Sequence, residues 1–137
     1  MATGYDRHRA RMNALSLLGK GLARRANSKC ELCEDRERSL TPFEVPPVPD
    51  EPQMDRAAIL CSDCIKIVQG GPTRPEDWRC LESVMWSEIP PVQVLAVRLL
   101  TRFAVTGSQW CQDALDSVYL EPDIRAWADS TEFPQKQ

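Results

Sequence analysis

Histidine is almost absent from this sequence, although it is the residue that most often performs acid–base catalysis near neutral pH. The 137 residues include one histidine, His8, which lies close to the N-terminus. A phosphate-binding glycine loop is also missing, because Gly70 and Gly71 are followed by proline and not by a Lys-Ser/Thr pair. These absences predict no catalytic residue and favour a protein that is not an enzyme.

Long apolar stretches are absent as well. No run approaches the roughly 20 apolar residues that cross a bilayer. The polar, arginine-bearing residues 1–11 are not followed by the apolar core of a signal peptide. Hydrophobic residues make up 42% of the chain and charged residues 27%, a balance typical of a globular protein. We therefore expect a cytoplasmic protein that does not associate with membranes and whose thiols stay reduced.

The sequence does contain two short cysteine pairs, each with two residues between its cysteines. Such spacing lets two sulfurs converge from one tight turn, and two such turns supply the four thiolates of a closed structural zinc site. We predict that Cys30, Cys33, Cys61 and Cys64 bind one Zn²⁺. Two disulfides, a redox dithiol, or iron in the same sulfur cage are the alternatives.

Basic residues are concentrated in the N-terminal part of the chain. Residues 1–30 contain seven Lys or Arg and one acidic residue, whereas the rest of the chain contains ten Lys or Arg and nineteen acidic residues. Arg24, Arg25 and Lys29 are therefore candidates for contact with a nucleic acid or another phosphate. The alternative, which we slightly favour, is that this segment is the solvated face of a helix packed against its own acidic body.

The spacing of hydrophobic residues predicts a fold that is α+β but mostly α. Arg7–Ala26 has the pattern of an amphipathic helix, whose apolar stripe consists of Met12, Leu15, Leu18 and Leu22. Leu40–Val45 and Ala57–Leu60 are predicted strands on either side of a proline-rich loop. Beyond Gly70–Pro75 the spacing is helical throughout, and Val92–Ala104 is apolar nearly all round, as expected of a buried helix.

This change of spacing also predicts two units. We expect residues 1–72 to form the N-terminal helix and a small zinc-ribbon or treble-clef unit, and residues 73–137 to form a bundle of about four helices. The four tryptophans all lie in the second unit and are expected to fill its core. Arg98 and Arg102 are expected to pair with acidic side chains on the surface of this bundle.

Three stretches of the sequence resemble the PhnA-type (YjdM-like) zinc-ribbon proteins of bacteria, a family named after an alkylphosphonate operon. They are Leu22–Arg25 leading into Cys30–Cys33, then Leu40–Pro47, and then Trp78–Leu81 continuing through Met85–Pro90 to Val92–Val94. The resemblance covers about residues 20–128 and implies a bound zinc and a bacterial cytoplasm. Longer members carry a C-terminal β-barrel-like domain, which we expect this chain to lack.

A second resemblance, to HNH nucleases with a four-cysteine zinc, concerns the order of the elements. In both, a basic helix precedes the first cysteine pair, and a hairpin leads to a second pair that opens a helix. The histidine that serves these nucleases as general base is missing, since the hairpin here reads Phe43-Glu44-Val45-Pro46. This resemblance implies a degenerate nucleic-acid-binding protein without nuclease activity.

The favoured function is therefore that of a binding or regulatory module stabilised by a structural zinc, with a protein or a nucleic acid as its partner. The HNH-like nucleic-acid-binding protein is the alternative. A phosphonate-related hydrolase is the least favoured possibility.

Overall fold

The chain is mostly helical and contains a small two-stranded sheet, as the α+β, mostly α, prediction requires. The computed structural model describes residues 3–130. Its helices are α1 (Gly4–Arg25), α2 (Ser62–Val68), α3 (Leu81–Val84), α4 (Pro90–Val105), α5 (Gln109–Ser117) and α6 (Pro122–Asp129), and its strands are β1 (Leu40–Glu44) and β2 (Ala57–Cys61). Two short 3₁₀ turns, Met54–Arg56 and Pro75–Trp78, precede β2 and α3. No described helix is long and apolar enough to cross a membrane.

Helix α1 begins three residues earlier than its hydrophobic pattern predicts. A capping box explains the difference: the backbone N–H of Asp6 donates to the Thr3 hydroxyl at 3.0 Å, and the Asp6 carboxylate accepts from the Thr3 N–H at 3.3 Å. The apolar stripe packs only near the end of the helix, where Leu22 is fully buried. Met12, which belongs to the predicted stripe, is 48% exposed.

The two strands form an antiparallel hairpin in which Leu40 pairs with Cys61 and Glu44 pairs with Ala57. Every residue of β2 is buried, because α1 and α4 both pack against this strand. Arg11 of α1 donates to both carboxylate oxygens of Glu44 at 2.7 and 2.8 Å. The same guanidinium donates to the Pro49 and Asp50 carbonyls, so it also holds the proline-rich loop between the strands.

Helix α4 is the centre of the hydrophobic core, as the sequence of Val92–Ala104 predicts. Leu95, Leu99 and Leu100 are fully buried, and the helix packs against α3, α5, α6 and β2. One continuous hydrophobic cluster contains these leucines together with Leu32 and Leu60 of the cysteine-rich half. The core therefore extends across the predicted boundary at residues 72–73, and the division into two units stays a prediction.

Two arginines of α4 bind the C-terminal ends of other helices. Arg98 is only 5% exposed and donates to the carbonyls of Trp127 and Ala128 at 2.6 and 3.2 Å. Arg102 donates to the carbonyls of Ile67 and Gly71 at 2.8 and 2.6 Å. The last carbonyls of a helix have no partner within that helix and carry partial negative charge, so a guanidinium satisfies them well. Burial lowers the pKa of Arg98 to about 10.

The expectation of acidic partners on the helical surface is thus wrong for Arg102, whose hydrogen bonds go to carbonyls. The expectation that all four tryptophans fill the core is wrong for Trp86, which is 51% exposed, whereas Trp78 is buried. Trp127 is half-buried: its Nε1 donates to the Pro46 carbonyl, and the Arg56 guanidinium lies 4.0 Å from the centre of its ring. This contact attaches α6 to the proline-rich loop.

We predict that Leu99→Ala lowers the free energy of unfolding by about 2–5 kcal/mol, because it leaves a cavity in the centre of the core. Val105→Ala on the same helix is the matched control. Val105 is 81% exposed, and its truncation should change stability by less than about 0.5 kcal/mol. Denaturant unfolding followed by circular dichroism measures both values. Equal losses in the two variants would contradict the central position of α4.

Candidate metal centre

The first cysteine pair lies in a tight turn fixed by backbone hydrogen bonds. The N–H of Glu34 donates to the Cys30 carbonyl at 2.9 Å, and the N–H of Cys30 donates to the Asp35 carbonyl at 3.0 Å. Glu34 adopts a φ of 66°, which lets the backbone reverse direction after Cys33. Between the two cysteines, Leu32 is fully buried in the core. The turn therefore points both sulfurs inward from a fixed position.

The second pair lies at the junction of β2 and α2. Cys61 is the last residue of the strand and the N-cap of the helix, and Cys64 lies in the first helical turn. The pairing of Leu40 with Cys61 places this junction at the open end of the hairpin, next to the segment that follows the first pair. A strand and a helix of the core thus fix the second pair.

All four cysteine sulfurs lie within 4.8 Å of one another. The Cys33 and Cys61 sulfurs are 3.7 Å apart. A zinc–sulfur distance of about 2.3 Å in a regular tetrahedron requires sulfurs about 3.8 Å apart, so the spacing fits the ion. A disulfide would require about 2.05 Å, and the cysteines are free. The structure thus brings together Cys30, Cys33, Cys61 and Cys64 as the sequence predicts.

Three of the thiols, those of Cys30, Cys33 and Cys64, have shifted pKa values. A hydrogen bond from Cys64, together with backbone N–H donors, lowers the pKa of Cys30 to about 5. The pKa of Cys64 is raised by that same hydrogen bond and by burial. Burial raises the pKa of Cys33 to about 12. Four sulfurs this close cannot all carry charge without a cation among them, and a dication supplies the compensation that a closed thiolate site needs.

A largely buried ion pair holds the first cysteine turn in place. The Arg25 guanidinium donates to both carboxylate oxygens of Glu31 at 2.8 and 3.0 Å, and the side chains are 19% and 3% exposed. Glu31 also accepts from the Ile59 N–H, while Arg25 donates to the carbonyls of Met54 and Ala57. The pair therefore connects α1, the cysteine turn and β2. This role of Glu31 was not predicted from the sequence, although Glu31 lies inside the Cys-x-x-Cys motif.

The candidate phosphate-contact residues differ in their exposure and in their partners. Arg24 is exposed at the end of α1, whereas the Arg25 guanidinium is used in the ion pair with Glu31. Lys29 lies 3.6 Å from the carboxylate of Glu34. His8 is exposed on α1. The contact of these residues with a nucleic acid stays a prediction.

A cleft of about 450 Å³ opens beside the four cysteines. Its walls include Cys33, Cys61 and Cys64, the charged residues Arg38, Asp63, Lys66 and Asp77, and the segment from Gly71 to Cys80. Arg38 contacts the carboxylates of Asp63 and Asp35. This cleft could not be predicted from the sequence, because it forms only when the segment after α2 folds back over the two cysteine pairs.

Comparisons of the chain with protein-family models, with curated proteins and with solved structures found no match. The resemblances to PhnA-type proteins and to HNH nucleases are therefore untested by these comparisons. The four-cysteine cluster is the structural feature that indicates a function, because its sulfurs are close enough to hold a metal ion.

We predict that Arg25→Met and Glu31→Gln each lower the free energy of unfolding by about 2–3 kcal/mol. The first variant leaves the buried Glu31 carboxylate without its cation, and the second leaves the Arg25 guanidinium without its anion. The double variant should lose much less than the sum of the two, which a double-mutant cycle measures. Arg74→Met is the matched control. Arg74 lies 3.4 Å from Asp77 in a pair that is 76% and 58% exposed, so its loss should cost less than about 1 kcal/mol. Additive losses for Arg25 and Glu31 would contradict the pairing.

Proposed function

We propose that the protein is a PhnA-type binding or regulatory module whose four cysteines hold one structural Zn²⁺. The observation that carries this proposal is the convergence of four sulfurs, three of which are 0–2% exposed. Among the described residues, Cys30, Cys33, Cys61 and Cys64 are the one group of three or more potential ligands this close together. Thiolates are the ligands that zinc prefers in closed structural sites.

The composition of the site argues against catalysis at the metal. A catalytic zinc keeps one coordination position for water, whereas four cysteine ligands fill all four positions. His8, the single histidine, lies near the start of the exposed α1 helix, away from the cysteine turn at its other end. A phosphonate-related hydrolase is for these reasons the least favoured function.

The order of elements around the cysteines favours a treble clef over a plain zinc ribbon. One pair lies in a turn before the hairpin, and the other lies where β2 meets α2. A treble clef has its second ligand pair at the start of a helix, whereas a ribbon takes both pairs from hairpin turns. A cytoplasmic location belongs to the same proposal, because four reduced thiols persist in a reducing compartment.

Binding of a nucleic acid, as in a degenerate HNH-like protein without nuclease activity, is the second candidate. The observation in its favour is that α1 exposes Arg9, Lys20 and Arg24. The use of Arg25 inside the fold and the excess of acidic residues after residue 30 argue against it. Co-purification of nucleic acid that is released by moderate salt would favour this candidate over a protein partner.

We predict that purified protein contains one zinc per chain by elemental analysis, and that chelation unfolds it. Zinc binding supplies about 10–16 kcal/mol in zinc-finger peptides, as much as the whole stability of a typical domain. Cys64→Ser should weaken zinc binding by more than the roughly 10–100-fold that loss of an outer-shell partner costs. Cys80→Ser is the matched control, because Cys80 lines the same cleft as Cys64 but is not a member of the four-sulfur cluster.

Unchanged zinc content in Cys64→Ser would contradict the assignment of the ligands. A protein that contains no zinc and unfolds at the same denaturant concentration with and without chelator would contradict the proposed function itself.

A further inference from the structure

The four sulfurs of the metal centre are not equally shielded from solvent. Cys30 and Cys61 are 0% exposed and Cys64 is 2% exposed. Cys33 is partly exposed and lines the 450 Å³ cleft. A small molecule that enters the cleft therefore meets Cys33 before the other three.

The Cys33 and Cys61 sulfurs are 3.7 Å apart, yet Cys33 is partly exposed and Cys61 is fully buried. Accessibility therefore distinguishes Cys33 from the other three members of the cluster, and an electrophile from solvent reacts first with the sulfur that it can reach.

The charges around the cleft favour a neutral guest. The positive charges of Arg38 and Lys66 balance the negative charges of Asp63 and Asp77 on the walls. The net charge at the cleft is therefore that of the proposed zinc site. Four thiolates around one dication carry a net charge of about −2. An anionic reagent is repelled by this charge, whereas a neutral reagent is not.

We propose that Cys33 is a modification site at which the metal centre reacts with small, neutral alkylating electrophiles that enter through the cleft. This inference rests on the proposed zinc, because metal ligation holds the sulfur as a thiolate at neutral pH. A lone pair of the Cys33 sulfur forms the new sulfur–carbon bond, and the bond from carbon to the leaving group breaks, with its electron pair departing on that group. No proton has to be transferred, and the product is a thioether that binds zinc weakly.

The test is alkylation of the zinc-loaded protein, with the rate at each cysteine measured by peptide mass spectrometry. With iodoacetamide, Cys33 should react at least about tenfold faster than Cys30, Cys61 or Cys64. Zinc release, followed with a chromogenic chelator, should rise in step with the modification of Cys33. The ratio of the iodoacetamide to the iodoacetate rate should be about fivefold larger at Cys33 than for free cysteine, because of the negative centre.

Two variants, one in α2 and one at the residue that follows it, test the route of entry. Lys66→Trp places a large side chain at the cleft wall and should slow the modification of Cys33 at least threefold, in line with a narrowed opening. Gln69→Trp is the matched control, because Gln69 is exposed on the same segment but does not line the cleft. Equal rates in the two variants would overturn the route through the cleft.

Faster labelling of another cysteine, Cys80 included, would overturn the assignment to Cys33 while zinc content still supported the proposed function. A protein without zinc would instead refute the proposed function, so the two failures are distinguishable.

Discussion

The close approach of four cysteine sulfurs is the constraint on which the rest of this structure depends. Cys30, Cys33, Cys61 and Cys64 lie within 4.8 Å of one another. The pKa of Cys30 is lowered, whereas the pKa values of Cys33 and Cys64 are raised. An arrangement in which burial and proximity oppose ionisation needs a compensating charge. A dication such as the proposed Zn²⁺ would provide that charge and would join the turn that follows α1 to the junction of β2 and α2.

The rest of the fold reinforces this junction from three sides. The Arg25–Glu31 ion pair holds the first cysteine turn against α1 and β2. Arg102 binds the carbonyls of Ile67 in α2 and of Gly71 just after it, so the central helix α4 fixes the helix that carries Cys64. Leu32, between the first two cysteines, belongs to the same hydrophobic cluster as α4. Because the metal ligands and the core share these contacts, we expect metal loss and global unfolding to be closely linked.

The parts of the fold that depend on local pattern could be predicted from the sequence. The Cys-x-x-Cys spacing identifies the four converging sulfurs, and the apolar sequence of Val92–Ala104 identifies the buried helix. The partners of Arg98 and Arg102 could not be predicted. Both arginines bind backbone carbonyls about 30 residues away in sequence, and hydrophobic spacing carries no information on such contacts. The exposure of Trp86 and the cleft beside Cys33 also depend on how distant segments pack, which hydrophobic spacing does not encode.

X-ray absorption spectroscopy at the zinc edge of the purified protein tests the central claim most directly. A closed site of four cysteines predicts four sulfur atoms at about 2.3 Å from the zinc and no nitrogen or oxygen ligand. A first shell that includes nitrogen or oxygen at about 2.0–2.1 Å would contradict a closed site of four cysteines, and would reopen the possibility of chemistry at the metal.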